Sequence, residues 1–95
     1  MTASSSADFV VVGAGTAGSV VVRRLIDAGY RVAVVEAGVR DDRPEIDSPF
    51  AAAALVGSEL DWNFATVPQI AAHNRVLNQP RGKALGGTTV FYGML

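Results

Sequence analysis

Gly13-Ala14-Gly15-Thr16-Ala17-Gly18 places three glycines at G-x-G-x-x-G spacing, and Glu36 follows at close to the ~20-residue interval of a dinucleotide fingerprint. Each residue type has a task. Gly13 lets the chain turn sharply. Gly15 has no Cβ, so the backbone can come close to a pyrophosphate, and Gly18 lets a helix pack tightly on a sheet. Thr16 and Ala17 open that helix, whose unpaired N–H groups and positive dipole end favour a phosphate. Glu36 offers carboxylate oxygens to ribose hydroxyls and repels a 2′-phosphate, which disfavours NADP. A turn that only packs a helix on a sheet accounts for Gly18, but not for three glycines and a glutamate together.

These residues need a strand, a helix and a second strand to hold them. Phe9 to Val12 is an apolar run without polar alternation, as in a parallel strand buried on both faces. A helix is expected from about Thr16 to Ala28, with Val21, Val22, Leu25 and Ile26 on one face and Arg23, Arg24 and Asp27 on the other. Gly29 stands where a left-handed cap belongs. Val32 to Val35 is the second strand. A short parallel crossover brings the glycine turn and Glu36 to the same carboxyl edge.

Beyond Gly38 the chain changes character. Val39 to Ser48 is charged and proline-interrupted and reads as a loop. Asp47 or Ser48 could cap a short helix with Pro49 in its first turn, running through Leu55 and stopped by Gly57. Asp61 to Pro68 looks extended, with Trp62 and Phe64 on one face. His73 and Asn74 suggest a turn, and Arg75 to Leu77 a returning strand. A lone histidine in a polar turn is assigned no chemistry.

A second glycine turn closes the sequence: Pro80-Arg81-Gly82-Lys83-Ala84-Leu85-Gly86-Gly87-Thr88-Thr89. Two cationic side chains stand beside it. Thr88 and Thr89 could begin a helix whose hydroxyls and N–H groups face an anion. Alone it would read equally well as a surface turn; beside the first fingerprint, a second phosphate contact is the better reading.

Three pieces together resemble the glucose–methanol–choline (GMC) family of FAD-dependent oxidoreductases: VVVGAGTAGSVVVRRL with VVEAG, then DWNFATVPQ, then PRGKALGGTT. The first is shared by many nucleotide-binding folds, whereas the other two, in that order and spacing, are specific to the family. The resemblance implies an α/β fold, a Rossmann-like βαβ unit with a parallel sheet that forms the N-terminal fragment of an FAD-binding domain. Carried over by position, Gly13, Gly15, Thr16, Ala17 and Gly18 line the pyrophosphate, and Glu36 and Ala37 meet the ribose. Trp62 lies near the adenine end. Arg81, Leu85, Gly86, Gly87 and Thr88 approach the diphosphate and ribityl chain, and Tyr92, Gly93 and Met94 the flavin.

The family pattern continues G-G-S-S-x-x-N-G-M; here threonines replace the serines, and Tyr92 stands where asparagine is usual. A tyrosine is bulkier and carries one hydroxyl, so the contact near the flavin must differ. No histidine lies at this motif, so the resemblance implies non-covalent FAD. It also implies oxidation of an alcohol CH–OH group by hydride transfer to the flavin. The alternatives are an FAD-containing hydroxynitrile lyase of the same family and a non-catalytic nucleotide-binding module. NAD is a further possible ligand, against which the R-G-K-x-L-G-G piece argues.

Composition excludes other classes. The chain has no cysteine and one histidine, so no disulfide framework, thiolate metal site or catalytic thiol is expected, and no metal centre. A net charge of −1 gives no case for nucleic acid or membrane surfaces. No apolar run is long enough to span a bilayer. The polar residues 1–7 lack a basic n-region and read as a flexible tail, so no secretory signal and a cytoplasmic location are expected. Residues 8–95 then form an incomplete part of an FAD-binding domain. Family members run to several hundred residues with a catalytic histidine near the C-terminus, so no catalytic base is assigned here. The expected partners are the remainder of the same enzyme, as a second polypeptide or fragment, and a small alcohol substrate.

Overall fold

The computed structural model describes residues 6–91. Residues 1–5 of the expected tail, and Tyr92, Gly93 and Met94 of the expected flavin contact, lie outside the described residues. The chain opens with strand β1 (Phe9–Val12), helix α1 (Thr16–Asp27) and strand β2 (Val32–Val35). β1 and β2 pair in parallel with Phe9 opposite Val32 and Val12 opposite Val35. That register brings both carboxyl ends to one edge. The ladder extends one step further, where Gly13 N–H donates to the Val35 carbonyl at 2.7 Å. Gly13 then turns with φ +94°, a conformation that favours glycine.

α1 ends as its sequence predicts. Gly29 has φ +89°, and its N–H donates to Ile26 O. Tyr30 sets its ring edge-on to Phe9, with centroids 5.0 Å apart. At the amino edge of the sheet, Arg31 and Asp8 form an exposed ion pair at 3.0 Å. The helix stripe on the sheet side is narrower than the apolar pattern implies. Gly18, Val22 and Leu25 are half-buried, while Val21 and Ile26 are exposed. The strands also differ from expectation. Val10 and Val12 are 63% and 81% exposed, so in these residues the sheet is covered on one face at most.

The core lies elsewhere. Leu55, Leu60, Ala84 and Val90 form it, with Ile46 and Phe91 packed against them. It gathers around residues 81–85, which thread between two neighbours. On one side Val39 pairs in parallel with Ala84, and on the other Asp61 pairs antiparallel with Gly82. Leu85 N–H donates to Val39 O at 3.0 Å and Lys83 N–H to Leu60 O at 2.7 Å.

Of the helix expected after Asp47 or Ser48 only a 3-10 turn forms, Ala52–Leu55, and another 3-10 turn, Pro44–Asp47, stands in the stretch expected to be a loop. Ser48 between them is extended (ψ 114°), as a residue before proline prefers. The alanine run that remains is too short to nucleate an α-helix. The returning strand is also displaced: β3 (Phe64–Ala65) pairs antiparallel with β4 (Asn78–Gln79), beyond the expected 75–77. His73 and Asn74, both left-handed, form the turn. A last 3-10 turn, Gly87–Phe91, stands where Thr88 and Thr89 were expected to start a helix.

Candidate functional site

A cleft of about 540 Å³ opens at the carboxyl edge of the β1–β2 sheet. The first glycine turn and the start of α1 form its floor, through Gly13, Gly15, Thr16, Ala17 and Gly18. Gly15 is the N-cap of α1, and the first helical bond runs from Ser19 N–H to Gly15 O at 2.9 Å. The N–H groups of Thr16, Ala17 and Gly18 therefore have no acceptor within the helix, and no acidic residue neutralises that end.

Glu36 and Ala37 form one wall beside Val12 and Val35. Glu36 already has two partners. Ala14 N–H donates to its Oε2 and Gly38 N–H to its Oε1, each at 2.8 Å. The carboxylate thus clamps the first glycine turn to the end of β2. Each of its oxygens keeps a second lone pair for a ribose hydroxyl.

Trp62, Gly82, Gly87 and Thr88 form the opposite wall. The indole stacks on Phe64 with centroids 5.7 Å apart and planes within 6° of parallel. Lys83 Nζ lies 4.6 Å from the centre of the Trp62 ring, a cation–π contact. Thr88 Oγ1 accepts from Gly82 N–H at 3.1 Å, which folds the second glycine turn back on itself.

The two glycine turns touch. Gly86 N–H donates to Ala14 O at 2.8 Å. A Cβ on Gly87 would stand 2.9 Å from Gly15 Cα, closer than side-chain carbons approach. A Cβ on Gly82 would overlap the Gly87 carbonyl, and one on Gly38 would overlap the backbone of Lys83. Gly15 differs: a Cβ there would meet only Gly87 Cα, at 3.8 Å, so its missing side chain leaves space open to the cleft.

Ten of the sequence-predicted residues therefore share one cleft: Gly13, Gly15, Thr16, Ala17, Gly18, Glu36, Ala37, Trp62, Gly87 and Thr88. Three others do not line it. Arg81 turns its guanidinium back to the Pro80 carbonyl at 2.6 Å. Leu85 lies beside Val22, Ile26 and Val34 in a separate apolar hollow. Gly86 serves the contact between the turns. Sequence reasoning passed over Gly82, whose signal was its place inside R-G-K, and Asp61, whose signal was a carboxylate directly before Trp62. Among the described residues no cluster of potential metal ligands occurs, and no helix is long and apolar enough to cross a membrane.

A Cβ-free cradle, unpaired helix N–H groups and a cleft-lining carboxylate at one edge fit the diphosphate and adenosine of a dinucleotide. No protein-family model matches the chain. It is 46% identical over 90 residues to a pyranose dehydrogenase of Agaricus xanthodermus, covering 93% of this chain and 15% of that protein. It is 42% identical over 92 residues to an uncharacterized GMC-type oxidoreductase of Mycobacterium tuberculosis, covering 96% of this chain and 17% of that one. Pyridoxine 4-oxidase from Mesorbium loti superposes with a TM-score of 0.87 at 37% identity, over 94% of this chain and 18% of that one. Formate oxidase of Aspergillus oryzae, studied for its FAD modification, superposes at 0.82 with 38% identity, over 97% of this chain and 17% of that one. The chain spans about one sixth of the length of these relatives.

Proposed function

We propose that this chain, which belongs to the GMC family of oxidoreductases, is the part of a flavoenzyme that grips the diphosphate and adenosine of FAD. The observation that carries the proposal is the meeting of two glycine turns at one cleft, with the start of α1 below and Glu36 beside them. In this reading the N–H groups of Thr16 and Ala17 bind the diphosphate, and Glu36 accepts from the ribose. Trp62, held by Phe64 and Lys83, forms the cleft wall on the adenine side. When bound, FAD supplies a two-electron acceptor for a hydride from an alcohol CH–OH group. This chain's share is to bind and orient it.

The proposal extends to residues 8–95 as an incomplete part of an FAD-binding domain. The remainder of the same enzyme covers the exposed faces of β1 and β2 and supplies the substrate pocket and the catalytic base. The exposed valines of the sheet support this, since parallel sheets are normally covered on both faces. A pyranose presents secondary CH–OH groups, which supports an alcohol or sugar as substrate. Non-covalent binding is part of the proposal, and the place of the chain's sole histidine, His73, in the β3–β4 turn and outside the cleft-lining set supports it.

The test is titration of the flavin-free protein with FAD, NAD and NADP, followed by acid precipitation. FAD should bind, the other two should compete weakly, and the flavin should leave with the supernatant. A folded protein that takes up no FAD refutes the reading. Flavin that stays with the precipitate refutes its non-covalent part.

A further inference from the structure

Asp61 is a carboxylate only 5% exposed, and it does not line the cleft. Its Oδ2 accepts from Gly57 N–H at 2.9 Å, and its Oδ1 from Asn63 N–H at 2.9 Å and Arg81 N–H at 3.1 Å. Among the described residues it joins no ion pair. Three backbone donors from two distant segments therefore converge on one side chain. The residue after Asp61 is Trp62 and the residue after Arg81 is Gly82, and both line the cleft. The segments are also paired directly, with Trp62 N–H donating to Arg81 O at 2.9 Å.

We propose that Asp61 is a positioning residue for the dinucleotide: it fixes the Trp62 side of the cleft to the glycine segment that begins at Gly82. The inference rests on the FAD reading above and deepens it. A local turn needs only the bonds to Gly57 and Asn63, which lie within four residues of Asp61. The bond to Arg81 spans 20 residues and ends one residue before the cleft wall. A carboxylate suits the task because both of its oxygens accept, whereas an amide presents one acceptor and one donor. In Asp61→Asn, an amide oxygen facing Asn63 and Arg81 would turn its NH₂ against Gly57 N–H. The flipped amide would turn NH₂ against the other two. Either way one of the three backbone donors loses its partner on the buried Asp61 side chain.

The test compares Asp61→Asn with Ile46→Ala, which loosens the same core away from the cleft. FAD affinity is measured where circular dichroism shows both variants folded. Loss of one charge-assisted hydrogen bond's worth of alignment should raise the FAD dissociation constant about tenfold in Asp61→Asn. Ile46→Ala should stay within about twofold of wild type at a matched melting temperature. Equal losses in the two variants, or an unchanged constant in Asp61→Asn, would overturn the inference and leave FAD binding standing. A wild-type protein that binds no FAD overturns both readings. Should Asp61→Asn fail to fold, hydrogen exchange of the wild-type protein decides. FAD should slow exchange at Gly57, Asn63 and Arg81 as well as at Thr16 and Ala17. Slowing confined to Thr16 and Ala17 would refute the coupling.

Discussion

Valine at Gly15 should remove FAD binding while sparing the fold, because the protein itself leaves room for a β-carbon there. Gly15 has φ −82° and ψ −169°, extended backbone that any residue adopts. The nearest atom to its added Cβ is Gly87 Cα at 3.8 Å, an ordinary contact. Replacing a glycine N-cap by an apolar residue costs about 1 kcal/mol. The same Cβ projects into the cleft, where it would lift a diphosphate off the N–H groups of Thr16 and Ala17. Two charge-assisted hydrogen bonds at about 1.5–3 kcal/mol each come to roughly 3–6 kcal/mol. That is about two to four orders of magnitude in affinity, with alanine at the lower end and valine at the upper. Gly18→Ala is the contrast. Its Cβ would overlap the Gly13 carbonyl and lie 3.5 Å from Val11 Cγ1, so it should damage the fold itself. Flavin-fluorescence titration and thermal unfolding, run on both variants, separate the two effects. A folded Gly15→Val protein with wild-type affinity for FAD would refute the diphosphate assignment. A Gly18→Ala protein of undiminished stability would refute the contact reasoning.

Glu36→Ala should weaken FAD by about ten- to a hundredfold, the equivalent of one charge-assisted hydrogen bond of roughly 1.5–3 kcal/mol; an unchanged dissociation constant would remove Glu36 from the site. Leu55→Ala, at a fully buried core position, should cost about 2–5 kcal/mol in denaturant unfolding, and a loss below about 1 kcal/mol would show that the core is not packed there. The N–H of Gly57 foremost, then those of Asn63 and Arg81, hold the Asp61 carboxyl below its ordinary value, against the opposing effect of burial. A carboxyl lowered on folding stabilises above its unfolded pKa of about 3.9 and loses that contribution as pH falls through the folded value. Wild-type stability relative to Asp61→Asn should therefore be constant from neutral pH to about 4 and shrink below it; a gap that widens on acidification would contradict the sign.

The parts of the fold legible in the sequence are those whose signal is local. Phe9–Val12 and Val32–Val35 are short unbroken apolar runs, the helix from Thr16 carries its own periodicity, and the positive φ of Gly13 and Gly29 follows from residue type. The stacking of Trp62 on Phe64 follows from alternation along an extended segment. What was not legible depends on partners distant in sequence. No local rule places Lys83 over the Trp62 ring, because its backbone position is set by Leu60 on one side and Gly38 on the other. Nor does a local rule assign Leu60 and Ala84 to a core while the strand valines stay exposed. The apolar strands were the stronger signal, and they predict burial that residues 6–91 do not themselves provide.

Glycine shows the same division within the site. In the first turn, spacing alone separates the roles: Gly13 turns, Gly15 leaves space and Gly18 packs. In the second segment, the R-G-K-A-L-G-G pattern points to a phosphate but not to the reason for each glycine. Gly82 has no side chain because the Gly87 carbonyl occupies its place, and Gly87 has none because Gly15 does. The two turns thus specify one another. Gly87 answers to the first motif, and Gly82 to Gly87, before either answers to any ligand. A substitution at Gly82 or Gly87 should therefore disturb the placement of Gly15 even without cofactor, whereas a substitution at Gly15 should be felt chiefly when cofactor is added. Chemical shifts of the Gly15 amide in flavin-free Gly87→Ala protein test this order. An unmoved Gly15 resonance would mean that the second turn answers to the ligand alone.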